Sequence, residues 1–333
     1  MQKLLNYAKH VAKIVDNFIL NKVLKGKPDY LYSASTHLLK AGGKRLRPTL
    51  LILSSRIVGG SEEKALPAAA AVELLHNFTL VHDDVMDKDE FRRGVPTVHK
   101  IWGISTAIIA GDLLFSKSFE ALLYLKELGI DSKRIIEAAR ILAQAASTIA
   151  EGQAMDMAFE ERTDVTEEEY FQMIYKKTAA LFEASTKIGA LVGGGRVEDV
   201  ELLGNYGKNL GIAFQIQDDI LGVIGEEEKL GKPVGSDIRE GKKTIIVIHA
   251  LRKASPKDRE KLLEALGNRS LSKEKINDVI SLLISTGSIE YAKEIALKYA
   301  NTAKNIIENI KVKDYEAKEM LIELANYVVK RLK

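Results

Sequence analysis

Cysteine is absent from the 333 residues of this sequence. Its absence excludes disulfide bonds, thiolate zinc sites and cysteine nucleophiles, so any metal ion must be bound by oxygen or imidazole ligands. Proline is scarce, with 6 residues, which favours long helices with few interruptions. No uncharged run is long enough to cross a bilayer, and residues 1–20 mix charged with apolar side chains, unlike a signal peptide. We therefore expect a cytoplasmic protein without a transmembrane segment.

The composition also limits the class of protein. Hydrophobic residues make up 46% of the chain, which is typical of a folded protein rather than a disordered one. The formal net charge is only +3, too small to indicate a nucleic acid partner. At this length the chain can bury a large core, either as one helical domain or as two smaller ones.

Hydrophobic periodicity predicts an all-α fold in a single domain over residues 1–333. Apolar residues recur at spacings of three and four through most of the chain, and glycine clusters separate the periodic segments. Thr166 followed by Glu169 predicts a capping box at the start of one helix. No run alternates clearly enough to predict a β-sheet. The predicted helices are 3–24, 29–40, 46–58, 64–87, 103–125, 132–153, 167–192, 197–221, 241–252, 257–266, 272–285, 288–309 and 314–331.

The first candidate site is a cluster of aspartates at the end of a predicted helix. Asp83 and Asp87 are four residues apart, so they lie on one helical face, with Asp84 to the side. The preceding residues 68–81 are almost wholly apolar, and buried like charges are costly unless a cation holds them. Oxygen ligands without sulfur favour Mg²⁺, which takes its remaining ligands from water and phosphate. A solvated acidic helix end is the alternative for this DDxxD pattern considered alone.

A second acidic pair makes that alternative weaker. Asp218 and Asp219 again follow an apolar helical segment, although the third acidic position is occupied by Gly222. Two such pairs in one helical chain suggest two halves that face one another across a cavity.

Cations next to glycines complete the pattern. Residues 42–48 form a glycine turn followed by three cations at the start of a predicted helix, where backbone donors and the helix dipole favour an anion. Arginine adds bidentate hydrogen bonds to phosphate oxygens. Further cations follow the acidic pairs at residues 92–94, 231–233 and 241–244. The arrangement indicates metal-bound diphosphates.

With these motifs, nearly the whole chain resembles the trans-isoprenyl diphosphate synthases of isoprenoid biosynthesis, and most closely the geranylgeranyl diphosphate synthases. The shared motifs are Gly43-Lys44-Arg45-Leu46-Arg47-Pro48, His82-Asp83-Asp84-Val85-Met86-Asp87, Arg92-Arg93-Gly94, Gly111-Asp112, Gly152-Gln153 with Asp156, Lys177-Thr178 and Phe214-Gln215-Ile216-Gln217-Asp218-Asp219. The resemblance implies a bundle of long helices around a central cavity, and a homodimer. Gly222 departs from the pattern, which commonly has a third aspartate there.

The resemblance also implies a role for each matching position. Isopentenyl diphosphate would be bound by Lys44, Arg47, His76 and Arg93. The allylic diphosphate would be bound by Arg92, Lys177, Thr178, Gln215, Lys232 and Lys242. Several Mg²⁺ ions would be bound by Asp83, Asp87 and Asp218, with Asp84, Asp156 and Asp219 close by. The implied catalytic residues are Asp83, Asp84, Asp87, Lys177, Asp218 and Asp219.

The implied reaction explains why no general-base constellation is found. Metal ions make the allylic diphosphate a leaving group, and the double bond of isopentenyl diphosphate attacks the resulting allylic carbon. The departing diphosphate then takes the proton whose loss restores an alkene. Phe78 and Thr79, just before the first acidic cluster, are the implied determinants of chain length. An aromatic residue there resembles enzymes that stop at twenty carbons.

Alternatives remain open at this point. The product could instead have 15 or 25–30 carbons. A class I terpene cyclase also uses aspartates and Mg²⁺, but it needs no second diphosphate site, so Lys44, Arg47 and His76 argue against it. A non-catalytic prenyltransferase subunit would have degraded aspartate motifs. A purely structural helical bundle would explain the periodicity but not the two aspartate pairs.

Overall fold

The computed structural model describes residues 2–225 and 235–330, and these are almost entirely helical. The first half contains α1 Gln2–Phe18, a π-helical turn Ile19–Val23, α2 Asp29–Lys40, α3 Leu46–Ile57, α4 Glu62–Asp87, β1 Phe91–Arg92, β2 Val95–Pro96, α5 Val98–Trp102, α6 Ile104–Leu123, a 3₁₀ turn Tyr124–Lys126 and α7 Ser132–Glu160. The second half contains α8 Glu167–Ile174, a π-helical turn Tyr175–Ala179, α9 Ala180–Val192, α10 Val197–Ile224, α11 Ser236–Glu240, α12 Ile245–Lys253, α13 Pro256–Ala265, α14 Lys273–Ser285, α15 Ser288–Asn309 and α16 Tyr315–Lys330.

The predicted all-α class is confirmed, with local differences: the short helices Val98–Trp102 and Ser236–Glu240 were not predicted, and α7 ends at Glu160 instead of residue 153. A short antiparallel hairpin pairs Phe91 with Pro96, and two residues per strand are too few to give an alternating pattern. The helix predicted from residue 241 begins at Ile245 instead, because Gly241 takes a left-handed backbone (φ 79°) and the Thr244 hydroxyl caps the helix. The described part of the chain has no helix both long enough and apolar enough to span a membrane.

The chain divides into two compact units that interleave along the sequence. Unit 1 contains Met1–Ala146, Leu181–Gly207 and Asn305–Leu324, and unit 2 contains Ser147–Ala180, Lys208–Lys304 and Ala325–Lys333. The expectation of a single domain over residues 1–333 stays a prediction.

Unit 1 is organised around α4, which packs against α3 on one side and α6 on the other. Four consecutive alanines, residues 68–71, are completely buried, and their small side chains let the neighbouring helices approach closely. The helix begins where the Ser61 side chain accepts a hydrogen bond from the backbone N–H of Lys64. It ends at Asp87, so the aspartates of the first cluster occupy its last turn.

Unit 2 has its own hydrophobic core, formed by α8, α12, α14 and parts of α7, α10 and α15. The predicted capping box is confirmed: the Thr166 hydroxyl accepts from the backbone N–H of Glu169, and the Glu169 carboxylate accepts from the backbone N–H of Thr166. This cap fixes the start of α8 and places Tyr170 in the core, where it is fully buried.

Candidate active site

The first aspartate cluster lies where α4 ends in unit 1. The helix stops because Lys88 takes a left-handed conformation (φ 61°). Asp84 is 1% exposed, and its Oδ1 accepts a short hydrogen bond from Arg92 Nε. The other end of the Arg92 guanidinium lies 3.1 Å from Asp89 Oδ2 and 3.6 Å from Asp83 Oδ2. A single arginine thus gathers three carboxylates at this helix end.

Burial makes negative charge costly in this cluster. Burial raises the pKa of Asp84 to about 6, although the Arg92 guanidinium opposes the shift. The carboxylates also lie at the C-terminal end of a helix, where the dipole is negative. Asp84 Oδ2 is buried and accepts no hydrogen bond from any residue that the structure describes. An unsatisfied buried carboxylate oxygen is expected where a cation binds.

The carboxylate oxygens of this cluster suit a hard divalent cation that takes its remaining ligands from a substrate. In residues 2–225 and 235–330, no group of three or more acidic, histidine or cysteine side chains converges to form a metal cage. Mg²⁺ is usually bound by one or two carboxylates, with water and substrate phosphate completing its octahedron. Asp83 and Asp87, four residues apart on α4, provide such a partial ligand set.

Arg47 contacts His76, which lies on α4 about two turns before the first aspartate cluster. Arg47 Nη1 lies 3.2 Å from His76 Nε2, and its guanidinium stacks over the Phe182 ring at 4.7 Å. Burial, together with the nearby arginines, holds the pKa of His76 well below its usual value. Because an arginine can only donate, the neutral His76 accepts at Nε2 and carries its proton at Nδ1. The imidazole Nδ1–H is then a donor.

The loop before α3 is pinned by a buried arginine. Arg45 is 3% exposed and is paired with Asp16 at 2.7 Å and with Glu73 at 3.2 Å. Its guanidinium also donates to the carbonyl oxygen of Gly42. Arg45 therefore shapes the loop, and the adjacent Lys44 is exposed to solvent.

Arg93 is attached to the same loop. Its Nη1 donates to the carbonyl oxygens of Leu38 (2.8 Å) and Gly42 (2.5 Å). Burial and the neighbouring arginines lower the pKa of Arg93. At Gly43 (φ 138°) a Cβ would lie 2.9 Å from Arg93 Cζ, so only glycine lets the loop backbone approach this cation. The structure thus brings Lys44 and Arg93 to one loop.

The second aspartate pair lies on α10 in unit 2. Asp219 is 7% exposed, and both of its oxygens are occupied: Tyr170 Oη donates to Oδ2 at 2.7 Å, and Gln215 Nε2 donates to Oδ1 at 2.8 Å. Thr178 Oγ1 in turn donates to Gln215 Oε1 at 2.6 Å. Burial raises the pKa of Asp219 to about 8, with the two hydrogen bonds opposing the shift. Asp218 is half-buried one position earlier.

The departure at Gly222 has a structural counterpart. A Cβ on Gly222 would lie 2.6 Å from Asp237 Oδ2, so the carboxylate of Asp237 on α11 occupies the space beside this glycine. The family that this sequence resembles commonly has a third aspartate at the position of Gly222. Here the carboxylate of Asp237 lies next to that position instead.

Two lysines of unit 2 converge on one buried carboxylate. Lys177 Nζ and Lys242 Nζ lie 2.7 Å and 2.9 Å from Asp156 Oδ2, and Lys242 also contacts Glu160 at 2.7 Å. Burial alone would raise the pKa of Asp156, but the two ammonium groups hold it below its usual value. Asp156 thus orients two cations that sequence analysis assigned to a diphosphate. Lys232 lies outside the described residues.

A π-helical turn presents Lys177 and Thr178. This turn, Tyr175–Ala179, passes so close to α7 that a Cβ on Gly152 would lie 2.3 Å from the backbone nitrogen of Lys177. Single π turns inside helices are frequent at functional sites. Gly152 therefore allows the close packing on which the position of both side chains depends.

Phe78 lies among aromatic residues between α4 and α6 in unit 1. Its ring is 4.8 Å from the His82 ring and 5.3 Å from the Phe115 ring. The next residue, Thr79, donates to the carbonyl oxygen of His76 at 2.8 Å. Both side chains are half-buried.

The structure divides the predicted site residues between the units. Unit 1 holds Lys44, Arg47, His76, Phe78, Thr79, Asp83, Asp84, Asp87, Arg92 and Arg93. Unit 2 holds Lys177, Thr178, Gln215, Asp218, Asp219 and Lys242. The sequence analysis missed Tyr170 and Asp237. Nothing in the spacing marks Tyr170, whereas an acidic residue inside a glycine-rich, cationic segment could have pointed to Asp237.

Comparisons with known proteins agree with these motifs. The polyprenyl synthetase family model matches residues 28–283. The geranylgeranyl diphosphate synthase of Saccharolobus solfataricus is 49% identical over 317 residues, which cover 95% of each chain. The geranylfarnesyl diphosphate synthase of Aeropyrum pernix is 42% identical over 322 residues, covering 96% of this chain and 100% of that relative.

Solved structures are similar over almost the whole length. Geranylgeranyl pyrophosphate synthetase from Pyrococcus horikoshii superposes with a TM-score of 0.91 at 44% identity, covering 99% of this chain and 98% of that one. A polyprenyl synthase from Caulobacter crescentus, solved with calcium and isoprenyl diphosphate, gives a TM-score of 0.90 at 33% identity, covering 100% and 98%. With its motifs, helical fold and these similarities, the chain belongs to the polyprenyl synthetase family of trans-prenyltransferases.

Proposed function

We propose that this enzyme condenses isopentenyl diphosphate with dimethylallyl, geranyl and farnesyl diphosphates to make geranylgeranyl diphosphate. One observation carries the proposal: each unit contains its own oriented cations and its own aspartate pair. A reaction between two diphosphates needs two anion sites, whereas a hydrolase or a cyclase needs one. Both sets serve one reaction in this proposal.

The unit 1 cations are assigned to isopentenyl diphosphate. Arg47 is held by Phe182 and His76, and Arg93 by two backbone carbonyls, so both guanidinium groups are oriented before substrate binds. Lys44 is exposed on the same loop and can close over the anion. Oriented guanidinium groups bind diphosphate oxygens in a bidentate manner.

The unit 2 donors are assigned to the allylic diphosphate. Lys177 and Lys242 stabilise negative charge as it accumulates on the leaving group, and Asp156 aligns both ammonium groups. Gln215 adds a neutral donor, and Thr178, assigned to the same diphosphate, donates to the Gln215 amide oxygen. Lys232 and Arg92 belong to the same assignment, with Arg92 exchanging carboxylate contacts for phosphate contacts.

Asp83, Asp87 and Asp218 are assigned to several Mg²⁺ ions. When bound, Mg²⁺ supplies Lewis-acid stabilisation of the diphosphate leaving group. The Caulobacter neighbour, which contains calcium and isoprenyl diphosphate, supports a divalent cation at a diphosphate site. Asp219 is assigned a different task, because both of its oxygens already accept hydrogen bonds from Tyr170 and Gln215.

Product analysis tests the proposed function. The purified protein is incubated with isopentenyl diphosphate and each allylic primer, with and without Mg²⁺, and the products are dephosphorylated and identified by mass spectrometry. We expect a C20 diphosphate that forms only with both substrates and Mg²⁺. Hydrocarbon released from an allylic diphosphate alone would identify a terpene cyclase instead, and a C15 or C25–C30 product would correct the assigned length.

The C20 assignment depends on Phe78, and a relative that makes geranylfarnesyl diphosphate shows that longer products occur in the family. Replacing Phe78 with alanine removes a ring that contacts Phe115 and His82, which opens space between α4 and α6. We expect Phe78→Ala to shift the main product from C20 to C25 or longer. Chromatography of the dephosphorylated products measures the shift.

Phe18→Ala provides the control for this prediction. It removes a different ring from unit 1, one that packs edge-on against Tyr124 at 5.5 Å. The control should keep the wild-type product length even if it is less stable. An unchanged product distribution in Phe78→Ala would show that this ring does not limit the chain.

The assembly and location of the enzyme are also proposed. We propose a homodimer, as the sequence resemblance implies, and a cytoplasmic location. Ile104 and Ile108 are exposed and four residues apart on α6, so they give one face of this helix an apolar surface that a second copy would cover.

A further inference from the structure

A chain of four hydrogen-bonded side chains in unit 2 connects the core to the donors assigned to the allylic diphosphate. Tyr170 donates to Asp219, Gln215 donates to the other oxygen of Asp219, and Thr178 donates to Gln215, at 2.7, 2.8 and 2.6 Å. Tyr170 begins this chain from a fully buried position in α8. Its link to Asp219 joins α8 to α10 across 49 residues of sequence.

The chain fixes the orientation of the Gln215 amide. The amide nitrogen of Gln215 faces Asp219 Oδ1, and its amide oxygen accepts the hydrogen bond from Thr178 Oγ1, so neither end can exchange places without losing a hydrogen bond. One of the two Nε2 hydrogens is used by Asp219, and in the described part of the chain the second has no acceptor. This hydrogen is a donor with a defined direction, as a phosphate oxygen requires.

Tyr170 supplies the part of this arrangement that a phenylalanine could not. Its hydroxyl and the Gln215 amide are the two donors to Asp219. Without the hydroxyl, Asp219 Oδ2 would be buried without a donor, and the carboxylate could rotate away from Gln215. The ring itself would still fill the core beside Phe171.

We propose that Tyr170 is a positioning residue for allylic diphosphate binding, acting through Asp219 on Gln215 and Thr178. This inference rests on the proposed function, because it specifies how one of the two diphosphate sites is oriented. It also assigns Asp219 to positioning rather than to metal binding.

The test compares two buried tyrosines that each lose one hydroxyl. Tyr206, like Tyr170, is completely buried, and it donates to the carbonyl oxygen of Leu321 at 2.8 Å in unit 1. Tyr170→Phe should raise KM for geranyl diphosphate about tenfold, the upper end of the loss expected for one buried hydrogen bond, and should change KM for isopentenyl diphosphate less than about twofold. Tyr206→Phe removes a comparable hydrogen bond and should leave both KM values unchanged.

A double-mutant cycle shows whether Tyr170 acts through Asp219. Asp219→Asn alone should also raise KM for geranyl diphosphate, and adding Tyr170→Phe should then have little further effect. Fully additive effects, equal changes in both KM values or no change in Tyr170→Phe would each overturn the inference. Wild-type enzyme that does not turn over these substrates at all would instead contradict the proposed function.

Discussion

Asp83→Asn is expected to reduce turnover by at least about 10³-fold while the protein stays folded. The substitution keeps the shape of the side chain but removes its charge, and with it the proposed contribution to Mg²⁺ binding. A metal ion stabilises a developing charge by several kcal/mol, and about 4 kcal/mol corresponds to about 10³ in rate. Steady-state turnover of isopentenyl and geranyl diphosphates at saturating Mg²⁺ measures the loss.

The fold should survive because Arg92 pairs with other carboxylates besides Asp83. Arg92 keeps its contacts with Asp84 and Asp89 when Asp83 loses its charge. The Asp83 side chain is 20% exposed, and asparagine has the same size and shape, so the substitution creates no cavity. Circular dichroism and thermal melting should therefore resemble those of the wild type.

Asp199→Asn is the matched control for Asp83→Asn. Asp199 also interacts with an arginine, Arg196, and its side chain is 14% exposed, but it lies at the start of α10 away from both aspartate pairs in the sequence. Its turnover should stay within about twofold of the wild type. Full activity of Asp83→Asn at low Mg²⁺ would show that the Asp83 carboxylate does not bind the metal ion.

Gly152→Ala is expected to reduce kcat/KM for the allylic substrate by about 10²-fold. The new Cβ would lie 2.3 Å from the backbone nitrogen of Lys177 and 2.7 Å from its Cα, too close for any side chain. The π-helical turn must therefore move, and a displacement of about 1 Å in positioned groups costs about 10² in rate. Steady-state kinetics with varied geranyl diphosphate measure the effect.

Gly193→Ala separates this effect from a general loss of packing. Its Cβ would lie 2.5 Å from the carbonyl oxygen of Ser55, so it also forces backbone apart. Ser55 lies eight positions after Arg47, about 12 Å along α3. Gly193→Ala should lower the melting temperature yet leave kcat/KM within a few fold. Equal losses in the two variants would mean that Gly152 matters only for stability.

The sequence by itself determined the helices and the aspartate clusters. Helical periodicity and capping are local: the Thr166 and Glu169 box needs only residues three apart, and it forms as predicted. Asp83 and Asp87 share a face for the same reason, since the helix rise and turn are constant along α4. The motifs that carry the family resemblance are likewise contiguous segments.

Only the tertiary structure decided which partner each charged or polar group has. Lys177 and Lys242 meet on Asp156 although 65 residues separate the two lysines (242 − 177), and Tyr170 meets Asp219 through the packing of α8 on α10. These pairings depend on how closely the helices pack and on which side-chain rotamers fit between them. The spacing of residues along a single helix does not determine either. The sequence therefore supplied the chemical groups, and helix packing supplied their orientation.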